Sequence, residues 1–331
     1  PDFKRDAWIN LNGDWGFRFD PGDRGIDERW FENGVSFERR ITVPFPWGSE
    51  LSGIEDESDI GWYKRNLSVD PAWKGERVFL VIGASDWETT VWLDGNKVGA
   101  HQGGYVPFEF ELTPFVDFGD AQELVIRVDD ARRDFTLYGK QGYGNARGIW
   151  QTTYLEKRAD RFITQVRFTP DLDESRVIVD FEVDAEVASD VPVAFSIQAP
   201  DGAIRKSALI SKGDQRGHLK IDLPSPRLWT LDDPYLYETE ISAGDDRVES
   251  YFGMRKISVV NLPNTPHRYI ALNGSPVYLQ MALDQAYHPE GYYTFPSDDF
   301  IREEVQRAKD IGLNGIRPHV KVAIPRKLYW A

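Results

Sequence analysis

Four polar residues near the end of the chain have side chains that can do chemistry. Asp284 and His288 follow one apolar segment, while Arg317 closes the next apolar segment and His319 follows it. A carboxylate and an imidazole in such loops can exchange hydrogen bonds with the hydroxyl groups of a ligand. An arginine can pair with a carboxylate and lower its pKa. The alternative for the loop residues is exposure to solvent without a ligand.

The sequence around these residues predicts the elements that must position them. Residues 276–283 and 313–317 are mostly apolar strands, residues 297–311 form a helix with one apolar stripe, and residues 324–330 begin another helix. This order is typical of a parallel sheet, whose strands need cover on both faces. Two strands do not close such a sheet, so we expect the sequence to be a truncated part of a longer one.

The ends of the helix at 297–311 carry their own signals. Ser297 or Asp298 can cap its start, and Gly312 suits its end. Its acidic residues are better explained by the helix dipole and a solvated face than by catalysis; they are Asp298, Asp299, Glu303 and Glu304.

Composition and motifs argue against several classes of protein. The formal net charge of −15 makes nucleic acid and membrane surfaces poor partners. Without cysteine there can be no disulfide or thiolate metal site, and the five histidines show no ligand spacing. No phosphate-binding glycine-rich loop or Gly-x-Ser-x-Gly element occurs. We therefore expect neither a metal nor an organic cofactor.

The rest of the chain predicts a mainly β fold. In residues 1–158, strands alternate with turn signals, and the clearest is a hairpin at 89–101 whose turn contains Asp94 and Gly95. This pattern indicates a jelly-roll-like sandwich. Residues 159–262 contain six or seven further strand candidates, which suits an immunoglobulin-like sandwich.

Several short sequence motifs, in a fixed order, resemble those of glycoside hydrolase family 2, which includes β-galactosidases, β-glucuronidases and β-mannosidases. In chain order they are Leu-Asn-Gly-Asp-Trp (11–15), Gly-Trp-Tyr-Lys-Arg (61–65), Val-Trp-Leu-Asp-Gly (91–95), Gly-Gly-Tyr-Val-Pro-Phe (103–108), Arg-Gly-Ile-Trp (147–150), Asp-Pro-Tyr-Leu-Tyr (233–237), Phe-Gly-Met-Arg-Lys-Ile (252–257) and Gly-Leu-Asn-Gly-Ile-Arg (312–317). Each motif alone is weak evidence for the family, but their order over nearly the whole chain is specific.

The resemblance implies a sugar-binding jelly roll at 1–158, an immunoglobulin-like domain at 159–262 and the truncated start of a catalytic (β/α)8 barrel at 263–331. It also implies a retaining glycosidase that acts on terminal β-linked sugars. Retention requires two carboxyl groups ~5–5.5 Å apart, and in the family both are glutamates on later barrel strands. No catalytic residue is therefore assigned, and the fragment itself is predicted to be inactive.

Substrate-binding residues carry over from the family only in part. Asp284 and His288 lie where a barrel places its active face, although the loop departs from the family's Asn-Arg-His-Glu pattern at its first two positions. Arg317 matches the family's arginine, while His319 comes one residue earlier than the family's histidine. Gln141 is the nearest polar residue where the family's first domain often supplies an aspartate; a flexible glycine-rich loop is its alternative.

Other functions stay open at this point. The chain could be a non-catalytic carbohydrate-binding module, which an exposed platform of Trp47, Trp62 or Trp87 would support, or an assembly module. Carbohydrate is the expected partner, and a homo-oligomer is possible because the family's first domain often contributes to subunit contacts.

Overall fold

The computed structural model describes residues 3–131, 145–319 and 322–331. Within these ranges the chain forms two compact units. The first unit contains residues 7–157 and 281–331, and the second contains residues 3–6 and 158–280. Each unit thus combines segments that are far apart in the sequence.

Two sheets form most of the first unit, and most neighbouring strands in them pair antiparallel. The strand order is β1-β12-β5-β9 in one sheet and β3-β2-β4-β10-β7-β8 in the other, while β6 and β11 form a short separate pair. The strands are β1 (Trp8–Asn10), β2 (Gly13–Phe19), β3 (Arg39–Val43), β4 (Ile60–Ser68), β5 (Arg77–Ile82), β6 (Ser85–Asp86), β7 (Glu88–Leu93), β8 (Asn96–Gln102), β9 (Phe108–Glu111), β10 (Ala121–Asp129), β11 (Gly148–Ile149) and β12 (Thr153–Arg158). Single 3-10 turns lie at Glu50–Ser52, Pro71–Trp73 and Thr113–Phe115. The predicted hairpin is confirmed as β7 and β8.

The core of this sandwich is rich in aromatic side chains. Trp15, Trp47 and Tyr63 are fully buried in one apolar cluster. The indole N–H groups of the two tryptophans donate to backbone carbonyls, at 2.8 Å to Leu11 and 3.0 Å to Ser58. Because their polar atoms are paired, both rings can lie inside the core at little cost.

A second aromatic cluster lies on the other face of the six-stranded sheet, since successive strand residues point to opposite faces. Trp62 stacks on Trp92 with ring centroids 5.4 Å apart, and Trp30 meets Trp62 edge to face. Buried Asp20 accepts hydrogen bonds from the Gly25 N–H and the Trp62 indole, at 2.8 and 3.1 Å. These contacts hold the loop between β2 and β3 over the cluster.

The second unit is also a β structure. It has a three-stranded sheet in the order β13-β14-β17, a four-stranded sheet in the order β16-β15-β18-β19, and a small sheet in the order β20-β21-β22. The strands are β13 (Ile163–Asp171), β14 (Arg176–Val183), β15 (Val191–Ala199), β16 (Gly202–Ile210), β17 (Arg216–Asp222), β18 (Tyr237–Ala243), β19 (Asp246–Phe252), β20 (Ile257–Asn261), β21 (Arg268–Leu272) and β22 (Ser275–Pro276). Strand β16 was not predicted, because much of it is polar and exposed.

A buried ion pair fastens the N-terminal segment to this second unit. Arg5 donates from Nε and Nη2 to the two carboxylate oxygens of Asp246, at 2.8 and 2.9 Å, and from Nη2 to the Ile163 carbonyl at 2.7 Å. Asp246 also accepts the Ile163 N–H at 2.8 Å. Next to it, Lys4 exchanges both backbone hydrogen bonds with Glu249.

The last part of the first unit contains β23 (Met281–Asp284), α1 (Asp298–Asp310), β24 (Gly315–Pro318) and α2 (Pro325–Trp330). Strands β23 and β24 pair in parallel, as predicted. The Ser297 Oγ, rather than Asp298, accepts the N–H of Phe300 at the start of α1, and Gly312 has a φ of 93° beyond its end.

The predicted strand at 276–283 was too long. Asn273 and Gly274 both have positive φ, 50° and 82°, and turn the chain into a hairpin. Ser275 and Pro276 therefore pair antiparallel with β21, and the parallel strand begins only at Met281.

Candidate functional site

The segment that follows β23 is fixed to the sandwich of the first unit by hydrogen bonds. The Tyr292 hydroxyl donates to the Gly48 carbonyl at 2.5 Å, and the Thr294 hydroxyl lies 2.6 Å from the Trp150 carbonyl oxygen. The Leu51 N–H donates to the Glu290 carbonyl at 2.9 Å. The carboxyl end of the first parallel strand is thereby placed beside the sandwich loops.

Asp284 lies at the end of β23, in contact with a buried lysine. Its Oδ1 accepts the Ala286 N–H at 2.7 Å, and its Oδ2 lies 2.7 Å from the Lys327 Nζ. The angle at this second contact is not that of a hydrogen bond, so Oδ2 has an ion pair but no hydrogen-bond donor among the described residues. Lys327 is 2% exposed, and its Nζ also donates to Glu304 at 2.6 Å. Asp284 is thus held by α2 as well as by its own loop.

The other predicted site residues lie around this point. His288 exchanges backbone hydrogen bonds with Tyr292 and meets the ring of Phe300 edge to face. The His319 N–H donates to the Asp284 carbonyl at 2.9 Å, which brings these two residues together. Arg317 is exposed, and no ion pair joins it to another described residue. Gln141 lies outside the described residues.

A group of charged residues on the sandwich was not predicted as a site. It comprises Asp86, Asp130 and Arg147, with Asp59 at its edge. Arg147 lies 3.4 Å from Asp130 through Nε and 3.2 Å from Asp59 through Nη1. The backbone of Asp86 pairs with Gly148, but its partly buried carboxylate has no hydrogen bond or ion pair with any other described residue.

The backbone explains how this group assembles. Strand β6 pairs with β11, which sets Asp86 opposite Gly148, next to Arg147. Asp130 follows the end of β10, and its N–H donates to the Asp59 carbonyl just before β4. Gly104 lies so close to Asp86 that an added Cβ would be 2.4 Å from the Asp86 Oδ1. Any larger residue at position 104 would displace that carboxylate.

Burial and mutual repulsion change the protonation of this group. Burial raises the pKa of Asp86 to about 6, and Arg147 partly opposes that shift. Burial, and then the charge of Asp86, raise the pKa of Asp130 to about 7. Near neutral pH the pair can therefore both accept and donate hydrogen bonds, which suits a ligand with several hydroxyl groups.

Two tyrosines connect this group to the segment after β23. The Tyr105 hydroxyl of the sandwich forms a hydrogen bond with the Tyr293 hydroxyl, and burial raises the pKa of both phenols. The charge of Asp86 raises both pKa values further. Asp86 lies against Gly104, next to Tyr105, and the ring centroids of Tyr105 and Tyr293 are 6.2 Å apart. The sequence contained one signal for this group: Asp86 interrupts an apolar stretch between β5 and β7.

The tryptophan platform considered above does not exist as such. Trp47 and Trp62 are completely buried, and Trp87 is only partly exposed.

Among the described residues, no cluster of three or more potential metal-binding side chains occurs. No helix within the described ranges has the length and apolar character needed to cross a membrane.

The fold and the charged group define a class: a β-rich, modular protein with a parallel β-α element docked on a sandwich. Residues 9–159 match the family model "Glycosyl hydrolases family 2, sugar binding domain", and residues 161–255 match "Glycosyl hydrolases family 2". The two matches cover most of the chain, which belongs to glycosyl hydrolase family 2.

Named relatives include a β-galactosidase from Thermoanaerobacter pseudethanolicus, 24% identical over 93% of this chain and 43% of its own length. A β-glucuronidase from Paenibacillus borealis is 26% identical over 76% of this chain and 46% of its own length. The solved structure of a Ruminococcus gnavus β-glucuronidase in complex with D-glucuronic acid superposes with a TM-score of 0.82 at 19% identity, over 98% of this chain and 58% of that one. The chain spans less than half the length of the Thermoanaerobacter and Paenibacillus relatives.

Proposed function

We propose that this chain is the N-terminal part of a retaining glycosidase that hydrolyses terminal β-linked sugars. Membership of the family and the activities named for its relatives support this reaction. In this proposal residues 1–158 are a jelly roll, residues 159–262 are immunoglobulin-like, and residues 263–331 begin a (β/α)8 barrel. Both catalytic glutamates lie outside these 331 residues.

The observation that carries the proposal is the position of Asp86. Its carboxylate has no hydrogen bond or ion pair with another described residue and lies against Gly104. The neighbouring Tyr105 has its ring centroid 6.2 Å from that of Tyr293, in the segment that follows the first parallel strand. A (β/α)8 barrel binds its substrate at the carboxyl ends of its strands. In our proposal Asp86 accepts a hydrogen bond from a sugar hydroxyl at the rim of that site.

The residues predicted from the sequence keep supporting roles in this proposal. Asp284 and His288 line the loop after β23, and the ion pair with Lys327 fixes the position of the Asp284 carboxylate. Arg317 and His319 face the same end of the barrel, where Arg317 pairs with a carboxylate supplied by another strand. Gln141 is the remaining candidate sugar contact.

The test compares two polypeptides on chromogenic β-galactoside, β-glucuronide and β-mannoside. One is the product of the full reading frame, and the other is the 331-residue chain. We expect turnover only from the first. In that protein D86A should lower kcat/KM by roughly 10- to 100-fold, which is the effect of losing a hydrogen bond to a charged group.

The matched control is D299A, which removes an exposed carboxylate from α1 in the same unit and should leave kcat/KM unchanged. Robust turnover by the 331-residue chain would contradict the placement of the catalytic glutamates. An unchanged kcat/KM in D86A would remove Asp86 from the site. Assembly into a homo-oligomer is part of the same proposal, and light scattering of the full-length protein tests it.

A further inference from the structure

The chain contains four Asn-Gly steps, which begin at Asn12, Asn33, Asn273 and Asn314. In such a step the glycine nitrogen can attack the asparagine side chain, because glycine has no Cβ to hinder the approach. The reaction needs an asparagine side chain that is free to rotate and a backbone that can fold back on it. The structure separates the four steps by these two requirements.

Two of the asparagines are held by their side chains. Asn12 donates to the Thr152 hydroxyl and accepts the Thr153 N–H, both at 3.2 Å. Asn273 donates to the Trp229 carbonyl and accepts the Lys256 N–H, both at 2.9 Å. Either side chain must give up two hydrogen bonds before it can react.

At the Asn314 step it is the glycine that is held. Gly315 begins β24 and pairs with Met281, and an added Cβ there would be 3.1 Å from the Met281 side chain. A nitrogen in a paired strand cannot fold back on the preceding side chain. Gly13, at the first step, also lies in a strand, opposite Val43 in β3.

The Asn33 step differs from the others. Asn33 and Gly34 are both exposed in a turn, and the Asn33 side chain has no hydrogen bond with another described residue. Gly34 has a φ of 81° and open space around its Cα. Its N–H donates to the Glu123 Oε2 at 3.0 Å, so the reacting nitrogen already shares its proton with a carboxylate.

We propose that Asn33–Gly34 is a spontaneous deamidation site and that Glu123 accepts the Gly34 amide proton. The Gly34 nitrogen bonds to the Asn33 side-chain carbonyl carbon, and the bond from that carbon to Nδ2 breaks. Nδ2 takes up the proton that Glu123 accepted and leaves as ammonia. Water then opens the cyclic imide. Opening at the side-chain carbon yields aspartate, and opening at the backbone carbonyl carbon yields isoaspartate.

Either product adds one negative charge to the loop between β2 and β3. Lys64 lies beside this loop, because its Nζ is 2.5 Å from Glu123 and donates to the Val35 carbonyl at 2.8 Å. Isoaspartate also lengthens the backbone by one carbon, which moves the Gly34 N–H away from Glu123. The reaction therefore loosens the loop that carries Trp30 against Trp62.

The experiment is a timed incubation of the folded chain at neutral pH and 37 °C, followed by peptide mapping with mass spectrometry. Deamidation exchanges an NH group for oxygen and adds about one dalton. We expect the Asn33 peptide to react roughly tenfold or more faster than the Asn12 and Asn273 peptides, since each of those must first release two hydrogen bonds. Equal rates, or faster reaction at another step, overturn the proposal.

A pair of variants tests the role of Glu123. E123Q removes the carboxylate and the ion pair with Lys64, whereas K64M removes the same ion pair but leaves the carboxylate. We expect E123Q to slow the reaction roughly tenfold, as a modest general base would, and K64M not to slow it. An E123Q rate equal to that of K64M overturns the assignment of Glu123. Circular dichroism confirms that both variants are folded.

Discussion

Replacement of Arg5 by alanine tests how strongly the N-terminal segment is held to the second unit. Arg5 and Asp246 are 5% and 3% exposed, and two hydrogen bonds join their side chains. Without the guanidinium, a buried carboxylate loses its counter-charge and the Ile163 carbonyl loses a donor. Breaking such a pair from one side costs ~3–5 kcal/mol, a large part of the ~5–15 kcal/mol that stabilises a typical domain.

Urea unfolding and hydrogen exchange together measure this effect. With a urea m-value of ~1–3 kcal/mol/M, a loss of ~4 kcal/mol lowers the unfolding midpoint of the second unit by roughly 2 M. Exchange should accelerate in peptides that cover β13 and β19, because both strands contact the pair. R5A should also lower the free energy of unfolding by less in a chain where Asp246 is already replaced than in the wild-type chain, since the two residues are coupled.

K4A is the matched control. Lys4 and Glu249 form an ion pair in the same segment, but their side chains are 43% and 48% exposed. Exposed pairs contribute ~0–1 kcal/mol. If R5A and K4A lower the free energy of unfolding equally, burial does not determine the strength of the Arg5 pair and the reasoning fails.

Three further predictions concern the first unit. Because the pKa values of Asp86 and Asp130 are raised to about 6 and about 7, the folded state holds these protons more tightly than the unfolded state, so stability falls as pH rises from about 4 to about 7. D86N removes one charge of the pair and should reduce this slope in thermal melts; an unchanged slope would contradict the assignment. G148A should cost ~3 kcal/mol or more, since φ is +80° and the new Cβ would lie 2.1 Å from the buried Tyr63 hydroxyl, whereas G53A, with φ +73° and open space, should cost ~1 kcal/mol. K327M should cost ~2–4 kcal/mol in urea unfolding because Asp284 and Glu304 lose their cation, and R326M, which breaks the exposed pair with Asp298, should cost under ~1 kcal/mol.

Local signals in the sequence determined much of the secondary structure. The hairpin of β7 and β8 follows from apolar arms around Asp94 and Gly95, and α1 follows from its apolar stripe, the Ser297 cap and Gly312. Such signals act within a few residues, because turn and cap conformations depend on the hydrogen bonds and φ values of neighbouring residues. Strand β16 had no such signal, since it is the mostly exposed edge strand of its sheet and needs few apolar residues.

Tertiary structure alone decided the charged group. Asp86, Asp130 and Arg147 lie on different strands or strand ends, and they meet only because β6 pairs with β11 and β10 pairs with β4. The same holds for Asp284, whose sequence position predicted the end of a strand but not its buried partner on α2. The order of motifs identified the family, and several motif residues, among them Trp15, Tyr63 and Trp150, are buried in the sandwich. The protonation of Asp86 and Asp130 depends on burial and on charges far away in the sequence, which only the folded chain brings within range.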